Sequence, residues 1–318
     1  MKKILIGFIA VIVVFGMAIS KCADSLVPIS VLSEIKEIGE NIYSEMTETG
    51  VVPVNVNASG MLSVDRLEKA AKNREEFFEQ LKAELLKRKE TFTVDYNGYY
   101  KDIGTSVSNM LSKINSMDSK STSDDGDFLV GSITSMAYNV RYSSSQASYT
   151  FTVKYTDSAA QVKKLNKKIK SVFKKKGISE MSAFKKVKTI HDYVVNTVQY
   201  DRSMTEHSAY AGLVDKKHET VCQGYALIMY KMLTEAGVPA HYVTGHADGQ
   251  SHSWNIVKLK GKWYYLDAAW DDPVASEPIL SYKYFLVGSK TMNKDHKLSK
   301  KDKKLYKDKI SVSDFKWN

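Results

Sequence analysis

Apolar residues at Tyr225, Ala226, Met229, Leu233 and Ala236 recur every three or four positions, the spacing of one buried helical face. Residues 220–236 are therefore expected to form a helix, with Thr220 as its N-cap and Gly237 and Pro239 as stop signals. A longer stripe of Val64, Leu67, Ala70, Ala71, Phe77, Phe78, Leu81 and Leu85 predicts a helix over 63–90 capped by Ser63. Helices are also expected over 29–47, 101–117, 158–175 and 180–198, and VVPVNVNASG between the helices at 29–47 and 63–90 reads as an extended linker. Strand patterns are of the period-two kind: TFTVDY from Thr91, then ITSMAYNVRY and ASYTFTVKY as a hairpin across SSSQ. Downstream come AHYVTG, then Trp254, Ile256, Val257 and Leu259 before Lys260-Gly261, and Trp263, Tyr264, Tyr265 and Leu266 after it. Lys260-Gly261 is the length of a two-residue hairpin loop. Ile279 to Val287 and a final ISVSDFKW are expected to add strands.

One apolar run stands outside this scheme. Lys2-Lys3 precede ILIGFIAVIVVFGMAI, slightly long for a signal peptide and slightly short for a membrane span. Ala18 and Ser20 occupy the small-residue positions of a cleavage site, so residues 1–20 are expected to be a signal peptide or N-terminal membrane anchor. Lys21 fits poorly before a lipidated Cys22. The expected location is extracytoplasmic, secreted or associated with the membrane or cell wall.

Charge changes the picture only locally. The net charge is +10, or +8 without Lys2 and Lys3, and lysine is concentrated in KKLNKKIKSVFKKK and KDHKLSKKDKKLYKDK. Such faces suit an anionic cell-wall polymer or membrane surface; the plain alternative is a solvated helix face. Nucleic acid is not expected, since no interleaved aromatics or recognised nucleic-acid module accompany the lysines. With two cysteines in the chain, no disulfide framework holds the fold.

The second cysteine carries the candidate chemistry. Cys222 falls in the first turn of its helix, where free backbone N–H groups and the helix dipole favour an anion, and the thiolate is the nucleophilic form of cysteine. Gly224 would leave room for a substrate carbonyl. The competing reading is a buried structural cysteine. In the hairpin, pairing of Leu259 with Lys262 places Trp254 opposite Asp267, so His252 and Asp267 are diagonal neighbours on one face, roughly 7–8 Å apart at the backbone. His241 and His246 are rival bases, but the register favours His252. A metal site of Cys222, His241, His246 and His252 lacks a close ligand pair of zinc spacing, and no cofactor is expected. Trp254 and Trp263 are expected in the core or a groove wall, and Asp271 and Asp272 in a turn.

Cys222 in VCQGYA, His252 in SHSWN and Asp267 in WYYLDAAWDDP, with HDYVVNTVQYD upstream at 191–201, resemble the transglutaminase-like superfamily of cysteine acyltransferases and proteases. The resemblance covers roughly residues 180–290 and implies an α+β fold: a papain/transglutaminase-like core, with the cysteine at a helix N-terminus packed on an antiparallel sheet. Four regions are expected: residues 1–20, a helical region 21–90, a small α+β unit 91–155, and the transglutaminase-like catalytic domain 156–318. The implied catalytic residues are Cys222, His252 and Asp267, with the Cys222 backbone N–H in the oxyanion site. The implied reaction is acyl transfer from protein or peptide amides through a thioester. Hydrolysis, as in a cysteine protease or amidase, is favoured over cross-linking transglutamination, and a silent cell-surface binding module is the third possibility.

Overall fold

The computed structural model describes residues 55–58, 62, 64–118, 122–273 and 280–317. The described residues form one compact unit; the apolar run and the expected helix at 29–47 lie outside them.

The first half is built on a four-stranded sheet. Its elements are β1 (Asn55–Ala58), α1 (Val64–Lys69), α2 (Arg74–Leu86), β2 (Thr91–Tyr96), α3 (Val107–Ser116), α4 (Gly126–Gly131), β3 (Ile133–Tyr142) and β4 (Ala147–Tyr155). The strand order is β1-β3-β4-β2. The β3–β4 hairpin lies where alternation placed it. The expected linker instead supplies β1, paired parallel to β3. The single helix expected over 63–90 is two: Ala71 spends its N–H on Asp95 O and its carbonyl on Asn97 N, and Asn73 then accepts from Glu76 N to start α2. The expected 101–117 helix is a 3₁₀ turn at Tyr100–Asp102 followed by α3. Phe77 on α2 packs edge-on to Phe78, Tyr96 and Tyr149.

The second half continues with α5 (Ala159–Lys176), α6 (Ala183–Val195), β5 (Gln199–Tyr200), α7 (Ala209–Leu213), β6 (Glu219–Thr220) and α8 (Cys222–Glu235). Next come β7 (Ala240–Ala247), β8 (Gln250–Leu259), β9 (Lys262–Leu266), α9 (Ser289–Met292), β10 (His296–Leu298) and α10 (Lys300–Tyr306). The second sheet runs β10-β7-β8-β9, every pair antiparallel. The chain is thus α+β, with a cysteine-led helix against an antiparallel sheet. Residues Gly224 to Leu233 of α8 are buried without interruption, because sheet and helices enclose this helix on all sides, where its pattern had suggested one covered face. A Ser158–Gln161 capping box opens α5 and left-handed Gly177 closes it, with Val162, Leu165, Ile169, Val172 and Phe173 inward. Among the described residues, two expected strands are absent. Between 280 and 287, Ser281 N and Tyr284 N are drawn to Asp271, and only Val287 bridges to Tyr265. At the C-terminus Ile310 makes one bridge to Trp263.

Candidate active site

Four elements converge on the start of α8. β5 and β6 pair in parallel, Tyr200 beside Thr220, two residues before Cys222. The Asp201 carboxylate accepts from the Ser203 hydroxyl and from the N–H groups of Glu206, Thr205 and Ser203, which hold it below the usual carboxylate range. That turn presents Glu206 O, which accepts from Val221 N at 2.8 Å and from Thr220 Oγ1 at 3.1 Å.

Thr220 therefore does not cap the helix. The N-cap is Val221, with no side-chain cap bond, because the Thr220 hydroxyl is spent on Glu206. Val221 thus gives the first-turn N–H groups of α8 no side-chain cap, and a helix start is where an anion is favoured. Gly224 does not open space for substrate either: a Cβ there would collide with the Thr220 side chain. Its role is to let β6 pass close to the helix.

Cys222 is a partly exposed free thiol. His252 is on the central strand β8, whose pairing with β9 follows the expected register, Leu259 opposite Lys262. His252 Nε2 lies 2.6 Å from Asp267 Oδ2. Cys222 lies close enough to act on the same imidazole by hydrogen bond and charge. Burial opposes a charge on His252, but Asp267, through charge and hydrogen bond, and then Cys222 outweigh it and raise the imidazole to about 10. Burial likewise opposes ionisation of Asp267, and His252 and His296 overcome it, holding the carboxyl at about 2. Trp254 stacks on the His252 ring at 5.7 Å and Trp270 lies at 5.7 Å across it. Trp254 is core, whereas Trp263 packs on His241.

The rival histidines are elsewhere. His241 Nδ1 contacts Asp127 Oδ2 at 2.8 Å and His246 is exposed, so the four residues weighed as a metal set are not assembled. Among the described residues, His252, Asp267 and His296 bring ligand-type atoms within 4.8 Å of one another. Their N···O separations of 2.6 and 3.1 Å are those of hydrogen bonds, and all three are buried. Asp271 is buried against His191 at 3.1 Å and Asp272 accepts from the Tyr225 hydroxyl, so this turn is tied to α6 and α8.

Two neighbours were not legible in the sequence. The Tyr200 hydroxyl faces the Cys222 backbone N–H; burial first, then the nearby Cys222 and Asp267 charges, raise its ionisation above the ordinary tyrosine value. Its ring stacks on Tyr225 at 6.3 Å. The only sequence signal for it is its place next to last in the HDYVVNTVQYD block. His296 carries no signal at all, lying within the lysine-rich C-terminal run.

Residues 172–268 match the transglutaminase-like superfamily, and the chain carries a domain of that superfamily. Kyphoscoliosis peptidase of Homo sapiens is 25% identical over 189 residues, 50% of this chain and 29% of the relative. The Mus musculus protein of the same name is 26% identical over 183 residues, 48% of this chain and 28% of the relative. The matched stretch thus spans less than a third of these relatives' length. A solved structure described as a TGase is 14% identical and covers 74% of this chain and 78% of its own, with a TM-score of 0.30.

Proposed function

We propose that the protein is a cysteine-dependent acyl-transfer enzyme that hydrolyses protein or peptide amides, with Cys222 as nucleophile, His252 as acid and base, and Asp267 as its orienting carboxylate. One observation carries this reading: His252 is hydrogen-bonded to Asp267 at 2.6 Å with Cys222 near enough to act on the same ring, at a helix start with no side-chain cap. An ionised Asp267 only accepts hydrogen bonds, so His252 Nε2–H points to it and Nδ1 is left for the thiol.

The thiolate attacks the amide carbonyl carbon and forms a C–S bond while the carbonyl π pair moves to oxygen. The Cys222 N–H, with the Tyr200 hydroxyl beside it, receives that oxyanion. Collapse expels the amine, which takes the proton from His252. Water, deprotonated by His252, then attacks the thioester and returns the thiolate and the acid product. The peptidase named among the relatives supports hydrolysis over amine transfer. The apolar run at 4–19 supports an extracytoplasmic site of action, and the outward lysines of α5 support contact with an anionic polymer or membrane surface. Binding of the chain to anionic vesicles should fall with added salt.

The test incubates the full-length chain with a glutamine-rich unfolded protein, with and without a fluorescent primary amine, beside Cys222→Ala, and reads the products by mass spectrometry. New peptide termini absent from the variant are expected. Amine incorporated at glutamine would make the protein a cross-linking enzyme instead. A substrate unchanged by both proteins, together with an iodoacetamide-resistant Cys222, would mark a silent binding module.

A further inference from the structure

The chemistry above uses one contact on Asp267 Oδ2 and leaves a second unexplained. His296, on edge strand β10, places Nε2 3.1 Å from the same oxygen that His252 Nε2 holds at 2.6 Å. Its ring is 1% exposed, enclosed by Trp270, Trp254 and Tyr284 at 4.5, 5.1 and 5.1 Å, with the His252 ring at 5.6 Å. Its other nitrogen, Nδ1, lies 2.6 Å from Asp295 Oδ1, and the Tyr284 hydroxyl donates to Asp295 Oδ2 at 2.6 Å. Lys283 acts on Asp295 from the segment before α9, and Asp248, in the β7–β8 turn, donates its backbone N–H to Asp295 O at 3.0 Å. These groups, with His252 and Asp267, are the titratable ones facing His296.

A carboxylate oxygen shared by two imidazole N–H groups divides its acceptor strength between them. We propose that His296 is a positioning residue acting through Asp267: its N–H on Oδ2 weakens the stabilisation that Asp267 gives the His252 imidazolium and remains as a donor to the buried carboxylate when His252 has become neutral. The inference rests on the catalytic reading of Cys222, His252 and Asp267. A buried charge that loses its charged partner is disfavoured; when His252 gives its Nδ1 proton to a leaving amine, Asp267 keeps only the Nε2–H of a neutral imidazole on that oxygen, and the His296 N–H helps to hold the carboxylate at that stage.

Iodoacetamide tests this on the full chain without a known substrate. The Cys222 thiolate forms a C–S bond as iodide leaves, and the rate across pH has an upper step where His252 gives up its proton, expected near pH 10 in the wild type. Cys222→Ala subtracts reaction at Cys22. In His296→Leu the step should rise by about one pH unit, the equivalent of one hydrogen bond. In His296→Gln, which keeps an N–H donor, it should return toward the wild-type position. Asp295→Asn leaves the ring in place and removes the carboxylate that polarises it, so the step should rise by less; this variant decides the matter if the leucine variant does not fold. A step that stays or falls in the folded variants overturns the inference alone. If the wild type, after subtraction of Cys22, shows no step, the Cys222–His252 reading fails and takes the inference with it.

Discussion

Asp267 stays ionised while buried because four N–H groups surround it. Oδ1 accepts from the backbone of Ala269 and Trp270 at 3.0 and 3.1 Å, and Oδ2 from the two histidines. Its depressed value gives stability that is present above its unfolded value of 3.8 and lost as pH falls through about 2. The raised His252 gives stability that is complete below 6.5 and lost as pH rises through about 10. Asp267→Ala, which strips a buried network of its anion, should therefore cost about 3–5 kcal/mol. The loss should be greatest between pH 3.8 and 6.5, where both effects are complete, and shrink toward pH 2 and pH 10. Denaturant titration at a series of pH values measures it, and a loss independent of pH would show that packing rather than charge was removed. The milder Asp267→Asn should move the upper step of Cys222 alkylation down from pH 10, since burial then acts on His252 without an opposing anion.

At the scale of elements, the start of α8 depends on one close passage, Gly224 against Thr220. Gly224→Ala should destabilise the protein by about 1–3 kcal/mol, the usual cost of overpacking. Adding Thr220→Ala vacates the space, so the double variant should be more stable than the sum of the two single losses implies; additive losses in thermal melts would mean the two side chains do not meet. This contact also marks the limit of what the sequence discloses. The β8–β9 register was legible because Lys260 and Gly261 both take the left-handed backbone of a tight hairpin turn, and register alone brings His252 toward Asp267. Local periodicity likewise located α5, α6 and α8. Thr220 looked like a cap because nothing local reveals that Glu206 O claims its hydroxyl. Tyr200 and His296 reach the site through pairings with Thr220 and Ala247, and such long-range partners leave no periodic trace. The apolar run before Val287 resembled a strand, but its N–H groups are taken by Asp271. β1 passed for a linker because it depends on a parallel partner more than eighty residues away.

On the scale of the whole molecule, the first sheet and the cysteine-bearing half share buried connections. Phe128 on α4 belongs to the core formed by α8, β8 and α6. Asp127 Oδ2 faces His241 Nδ1 and accepts from Tyr242 N, and Gln223 Nε2 donates to Gly131 O. Arg88, after α2, donates to Ser132 Oγ and Asp157 O. The Asp157 carboxylate in turn accepts from the Ser208 hydroxyl and Tyr210 N at α7, and Lys231 of α8 pairs with Asp124 while fully buried. Buried polar links of this kind are costly to leave half made, so one half cannot open without stranding partners in the other. The described part of the chain should then unfold as one cooperative unit. All four tryptophans lie at or after Trp254, which makes their fluorescence a reporter of the cysteine-bearing half alone. Phe77, buried in the first sheet's aromatic cluster, is the place to perturb. Phe77→Ala should remove about 3–5 kcal/mol and shift the tryptophan-detected urea midpoint together with the transition seen by circular dichroism. A tryptophan transition that stays in place while part of the dichroism signal is lost earlier would show that the halves fold independently and that these connections contribute little.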